Sequence, residues 1–190
     1  RSFSIANPPH VDGHIELHIR NYGGAFSTYV FTRMKEKEIL RFEGPLGTFF
    51  LREDSAKPII LVASGTGFAP IKAIIEHAIH HGVKRPITLY WGGRRPADLY
   101  FDNLAREWKA THGIDYVPVL SEATTEDAWG GRSGFVHAAV VADHPDLSGH
   151  QVYVCGNPLM VDAARREFTS ACRLPDSEFY CDAVTPAAAP

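Results

Sequence analysis

Two glycines separated by one residue end an apolar run in LVASGTGFAP, residues 61–70. Apolar residues then resume at helical spacing, so the local order is strand, tight turn, helix. Glycine lets a backbone approach a ligand closely, and the helix start offers unpaired N–H groups and a favourable dipole to an anion. Gly65, Thr66 and Gly67 are therefore candidate phosphate-binding residues, and Pro70 suits a first helical turn, where its missing N–H has no partner. Pro70 stands where a dinucleotide fingerprint has its third glycine. No G-K-[ST] follows, which excludes a P-loop, and Ser64 lacks the glycine flanks of a nucleophile elbow. On this turn alone a structural strand–helix connection fits equally well.

A second anion site is suggested by GGAFSTYV, residues 23–30, where Gly23 and Gly24 precede a helical pattern opening with Ser27 and Thr28. An ordinary N-cap at Ser27 is the alternative. The dinucleotide fingerprint also asks for an acidic residue after the second strand, to hold a ribose diol. YWGGRR, residues 90–95, instead places Gly93, Arg94 and Arg95 there, with Asp98 a little later. Arginines suit a 2′-phosphate or a solvated surface, so NADH and NADPH both stay open. Three histidines of one helix, His77, His80 and His81, lack the H-E-x-x-H pattern and read as solvated, so no metal site is expected.

The elements that must position these residues fall into two parts. The first fifty residues carry short strand signals: HIELHIR (14–20) alternates, with Ile15, Leu17 and Ile19 on one face, and LRFEGPLGTFFLRE (40–53) is aromatic and broken by Gly44, Pro45 and Gly47. Between them lies a short helical pattern from Phe26 to Lys37, so part of an antiparallel β-barrel is expected. Past residue 57, apolar runs at 58–63, 87–91, 115–120 and 151–156 alternate with helical stretches around 69–81, 98–110, 135–142 and 158–171. Such alternation predicts an α/β domain: a parallel sheet of five or six strands with flanking helices. The boundary falls in REDSAKP, dividing 1–55 from 56–190, and the Pro/Ala-rich end at 186–190 reads as disordered.

Composition narrows the classes. The 190 residues are 45% hydrophobic and 22% charged with net charge −3, and no basic block points to nucleic acid. The longest apolar runs are far too short to span a bilayer. Cys155, Cys172 and Cys181 are an odd number without C-x-x-C spacing, which fits reduced thiols in a cytoplasm better than disulfides or a cysteine-held cluster. No secretory signal or initiator Met opens the chain, which begins on RSFSIANPP as a strand already under way and reads as part of a longer protein.

Five segments together resemble the ferredoxin–NADP reductase superfamily, particularly the reductases that serve bacterial oxygenases, flavin reduction and deoxysugar biosynthesis. RSFS resembles its Arg-x-Tyr-Ser flavin motif and GGAFSTYV its flavin-phosphate loop; SGTGFAP resembles the pyridine-nucleotide turn, YWGGRR the second strand end, and VCGNPLMV the Cys-Gly-x-Pro-x-Met motif. The resemblance implies bound FAD, with FMN not strictly excluded, and NADH or NADPH as hydride donor. It gives Arg1 to the flavin pyrophosphate, Ser2 to the same motif, Phe3 to the ring system in place of the usual Tyr, and Ser4 to the hydride-accepting N5. His18, Ile19 and Arg20 match the strand beside the ribityl chain, although Ile19 reads equally as core. Cys155 would stand beside the nicotinamide carbon that gives up hydride, a small polarizable packing group, with Gly156, Asn157 and Met160 around it. SEFYCDAV resembles the family's C-terminal segment, whose aromatic and acidic residues approach the flavin face; Phe179 and Asp182 match these, Glu178 or Tyr180 could play the same parts, and helix-stop and tail packing is the alternative.

The function implied is hydride transfer from NAD(P)H to flavin, followed by release of electrons to an acceptor, with Ser4 and Cys155 as the catalytic pair and no general base. The acceptor stays open: a [2Fe–2S] cluster in a domain outside this chain, a separate ferredoxin, an oxygenase component, a haem domain or free flavin. The rivals are a flavin reductase releasing reduced flavin, a non-catalytic nucleotide-sensing module, and a flavin-free dehydrogenase that leaves RSFS and GGAFST without a use.

Overall fold

The computed structural model describes residues 1–184, so the Pro/Ala-rich end at 186–190 lies outside them. Past residue 58 the expected alternation is present. Strands β1 (Ile59–Ser64), β2 (Ile87–Gly93), β3 (Asp115–Leu120), β4 (Arg132–Ser133), β5 (Gln151–Gly156) and β6 (Phe179–Ala183) form one sheet in the order β4-β3-β2-β1-β5-β6. Every pairing is parallel. β1 and β5 read as unbroken apolar runs because helices cover both faces of the sheet.

One face packs against α2 (Phe68–His80) and α3 (Asp102–His112), through Phe68, Ile71, Ile75 and Trp108 on Leu61, Leu89 and Trp91. The other packs against α4 (Val136–Asp143) and α5 (Pro158–Ser170), through Val140, Ala164 and Phe168 on Ile60, Val62 and Val152. The chain fills the sheet outward from β1 to β4, then returns to lay β5 against the free side of β1. The crossover direction therefore reverses between β1 and β5, and the crevice beyond their C-terminal ends is where open α/β sheets take ligands.

Three details depart from the sequence reading. The helix expected from residue 98 begins at Asp102, because Pro96–Asp98 forms a 3₁₀ turn in which the Asp98 carboxylate accepts from the N–H groups of Arg94 and Arg95, at 2.9 and 3.1 Å. β4 has two residues, and β6 was not recognised as a strand. Arg132 makes a two-pronged ion pair with Asp143 and donates to the Ala139 carbonyl, joining β4 to α4.

The first fifty residues form α1 (Ala25–Thr32) and, among the described residues, a single antiparallel bridge between Ile5 and Leu17, within the expected partial β-barrel. The alternation of HIELHIR is real, and its two faces have different surroundings in this chain. Ile15 and Leu17 are 44% and 38% exposed, while the polar residues dock onto the α/β domain. Glu16 pairs with Lys72 of α2 at 3.0 Å, His18 bonds the Tyr100 hydroxyl at 2.9 Å, and Arg20 pairs with Asp98 at 2.9 Å. Leu40, Phe42 and Leu46 of the second strand-like segment are exposed as well, whereas Phe49 and Leu51 reach the core.

Lys72 is the deepest point of this seam. It is 7% exposed, and its Nζ donates to the Ala6 carbonyl (3.3 Å), Glu16 (3.0 Å) and Glu76 (2.9 Å). Burial pushes the Glu16 carboxyl up, but hydrogen bonds from His18 and Lys72 outweigh it and hold it below the usual range. At Asp98 the N–H groups of Arg95 and Arg94 and the Arg20 guanidinium likewise outweigh burial. Both folded values lie below the unfolded value of about 4. The seam's contribution is therefore complete above that value and is lost as pH falls through the lower folded ones. Urea midpoints measured from pH 7 down to pH 3 should fall for the native protein, and fall less steeply for Lys72→Met.

Candidate functional site

The turn after β1 is built by close backbone approach. Gly65 has φ +53°, in the left-handed region, and Gly65–Gly67 makes one 3₁₀ turn running into α2. A Cβ on Gly67 would lie 2.2 Å from the Cys155 carbonyl oxygen, and one on Gly156, at φ +147°, would lie 2.1 Å from Ser64 Oγ. The loops after β1 and β5 therefore press together with no room for a side chain. The Asn157 N–H donates to Ser64 Oγ (3.0 Å), while Asn157 Oδ1 caps α5 by accepting from the Leu159 N–H (2.9 Å). Trp91 donates its indole N–H to the Gly65 carbonyl (3.2 Å) and stacks on Phe68 with centroids 3.8 Å apart. Pro70 is the buried third residue of α2, inside the expected first turn. Side-chain-free backbone at the start of a 13-residue helix fits a nucleotide diphosphate.

A cleft of about 570 Å³ opens beside this turn. Gly65, Thr66, Ala97, Asp98, Tyr100 and Phe101 line one wall; His18, Ile19, Arg20, Asn21 and Phe31 line the other. Residues 18–20 and the Gly65–Thr66 turn, singled out separately in the sequence, thus face one cavity. Tyr100, Phe101 and Asn21 were missed. The DLYF run (98–101) reads as the opening of the helix expected over 98–110, and only its aromatic density could have marked it.

Cys155 ends β5 with no exposed surface. Burial pushes its thiol well up, and the Asp182 charge adds to this, so the sulfur is a neutral packing group rather than a nucleophile. The parallel register sets Asp182 beside Cys155, and Ser4 Oγ donates to Asp182 Oδ2 at 3.2 Å. Ser4 and Cys155, at opposite ends of the chain, therefore meet at one carboxylate. The same register corrects Phe179. It pairs with Val152 at the far end of β5, is 5% exposed and lies beneath Arg165, because its apolar ring belongs to the α5 core. Met160 packs on that core as well, away from the cleft.

The second glycine loop is tied by Asn21, whose Oδ1 accepts from the Gly23 N–H (2.9 Å) and Ser27 Oγ (3.3 Å). Gly24, not Ser27, is the N-cap of α1; Ser27 is buried and turns its hydroxyl back to the Gly24 carbonyl (3.1 Å). Thr28 donates its N–H to the same carbonyl (2.9 Å), and the earlier N–H groups of the first turn have no helical acceptor. Phe3 lies against Phe26 of α1 with centroids 5.2 Å apart, and Arg1 and Ser2 are exposed beside it. A Cβ on Gly93 would lie 2.8 Å from that of Asp98, so this glycine lets the Pro96–Asp98 turn fold close. Arg94 is exposed, while the Arg95 guanidinium is held by Asp127 and Thr124, both at 3.2 Å.

Among the described residues no group of three or more His, Cys, Asp or Glu is set to hold a metal, and no helix is long and apolar enough to cross a membrane. His77 pairs with Glu53 (2.8 Å), and His80 stacks on His10.

Residues 61–166 match the family described as the oxidoreductase NAD-binding domain, and residues 1–51 match the oxidoreductase FAD-binding domain. The chain belongs to this oxidoreductase family. It is 45% identical over 188 residues to the CDP-6-deoxy-L-threo-D-glycero-4-hexulose-3-dehydrase reductase of Yersinia pestis, covering 98% of this chain and 56% of that protein. It is 38% identical over 169 residues to reductase component 1 of the terephthalate 1,2-dioxygenase of a Comamonas species, covering 87% and 49%. The crystal structure of a cytochrome P450 reductase from Amycolatopsis superposes with TM-score 0.83 at 33% identity, covering 98% and 56%. The chain thus spans about half the length of these relatives. The ferredoxin-reductase-like fold and the FAD- and NAD-binding parts stand as expected from the sequence.

Proposed function

We propose that this chain is the flavin- and nucleotide-binding part of an electron-transfer reductase, with its two parts dividing near residues 52–58. It takes hydride from NADH or NADPH and hands electrons to a separate redox centre. The observation that carries this reading is the shared cleft: His18, Ile19 and Arg20 of the FAD-binding part face Gly65 and Thr66 of the NAD-binding part across one cavity. Flavin bound here supplies the chemistry, accepting two electrons as hydride and releasing them singly. The residues supply position. Arg1, Gly23, Gly24 and the first turn of α1 hold the flavin phosphates, and Ser4, oriented by Asp182, directs its hydroxyl to the flavin ring. Gly65 to Gly67 and Gly156 receive the nucleotide diphosphate, and Cys155 packs beside the nicotinamide without acid–base chemistry of its own. The acceptor we propose is an iron–sulfur or other redox protein or domain, in keeping with relatives named as reductases of a dehydrase, a dioxygenase and a cytochrome P450. Its three free cysteines suit a reducing cytoplasm.

The test is an anaerobic titration of the flavin-loaded protein with NADH and then NADPH, followed in the visible. Bleaching of the flavin band supports the reading, and the more effective nucleotide sets the preference. Bound flavin that neither nucleotide bleaches would overturn it in favour of a sensing module.

A further inference from the structure

We infer that Tyr100, held across the domain seam by His18 and Glu16, positions the nicotinamide end of the nucleotide by accepting a hydrogen bond from its carboxamide. The inference rests on the nucleotide reading above and adds to it a recognition residue that neither the turn motif nor the family matches point to.

Tyr100 stands between the Pro96–Asp98 turn and α3, and its ring is fixed by edge contacts with Trp91 (5.2 Å between centroids), Phe68 (6.1 Å) and His18 (5.4 Å). Its hydroxyl lies 2.9 Å from His18 Nδ1, and His18 Nε2 lies 2.8 Å from Glu16 Oε1. The His18 side chain is only 7% exposed, and Lys72 holds the other oxygen of Glu16 at 3.0 Å. A carboxylate only accepts, so Nε2 carries a proton; in the tautomer with its single proton there, Nδ1 accepts the proton of Tyr100. In that tautomer the chain of bonds has one direction: Tyr100 donates to His18, and His18 donates to Glu16. With its only proton committed, the Tyr100 oxygen is left as a fixed acceptor in the wall of the cleft that also contains Thr66.

A fixed acceptor recognises an N–H donor. A phosphate offers none, which separates this group from the Gly65–Gly67 cradle. A dinucleotide carries an amino group at each end, and the seam decides between them. Tyr100 is bonded to a residue of the FAD-binding part, and hydride transfer requires the nicotinamide to be the end lying there. His18 does not touch the ligand in this scheme; it is a positioning residue acting through Tyr100.

The test compares NAD⁺ with ADP-ribose, which keeps the adenine, both riboses and the diphosphate but lacks nicotinamide. Each is titrated calorimetrically into the oxidised, flavin-loaded protein. Tyr100→Phe keeps the ring packing and removes only the oxygen. It should weaken NAD⁺ about fivefold, the scale of one neutral hydrogen bond, and leave ADP-ribose unchanged. His18→Ala should reproduce that selective loss, and the double variant should be no worse than either single one, since both break the same chain. Flavin content, read from the visible band, should stay at the native level in Tyr100→Phe. Equal weakening of both ligands would make Tyr100 a framework residue and overturn the inference, as would unchanged NAD⁺ affinity. If the native protein bound neither ligand, the nucleotide reading itself would fail and this inference with it.

Discussion

Gly67→Ala should lower NAD⁺ affinity by about a hundredfold, the order expected when a positioned contact moves by about 1 Å, while flavin remains bound. The new Cβ would fall 2.2 Å from the Cys155 carbonyl oxygen, 2.4 Å from its carbon and 2.6 Å from the Gly156 Cα. All three are backbone atoms of the end of β5, so none can swing aside as a side-chain tip would. The start of α2 must withdraw from β5 instead, and the N–H groups of the turn move with it. Overpacking of this kind costs about 1–3 kcal/mol, so the urea midpoint should fall as well. The atoms that the new Cβ meets belong to Cys155 and Gly156 and to none of the residues we propose for the flavin phosphates, which keeps the visible band intact. Calorimetry with NAD⁺ checks the result, and native affinity in the variant would mean that the two loops are not pressed together as described.

Cys155→Ser should slow single-turnover flavin reduction by NADH about tenfold, about 1.4 kcal/mol in the barrier, with flavin content unchanged. The sulfur is fully buried and its thiol neutral, so it contributes shape and polarizability rather than a charge. A serine hydroxyl there is smaller, harder and in need of a partner. A buried hydroxyl left unpaired costs about 1–3 kcal/mol, which it escapes by rotating or by drawing in water. Either response shifts the packing at the end of β5, beside the place proposed for the nicotinamide. Stopped-flow absorbance under anaerobic conditions reads the rate directly, and an unchanged rate would remove Cys155 from the site.

Much of the α/β domain was legible because its signals are local. Apolar runs buried on both faces, helices beginning near residues 69, 135 and 158, and the glycine turn all follow from neighbouring residues. The seam was not legible, for a physical reason. Period-two alternation in HIELHIR shows that two faces differ, but not which of them is covered. That depends on Lys72, Asp98 and Tyr100, and Tyr100 lies 82 residues from its partner His18. Asp182 was noticed and Phe179 placed wrongly because only the parallel register with β5 shows which of them reaches Cys155. Ser4 and Asp182, 178 residues apart, likewise became partners only in three dimensions.

The central claim is that one cleft holds nicotinamide against flavin in a single orientation. The most direct test is the rate of anaerobic flavin bleaching with NADH carrying deuterium at one or the other of its two C4 positions. A cleft that fixes the nicotinamide predicts slower bleaching with one deuterated epimer and an unchanged rate with the other. Equal rates with both epimers and unlabelled NADH, or no bleaching at all, would contradict it.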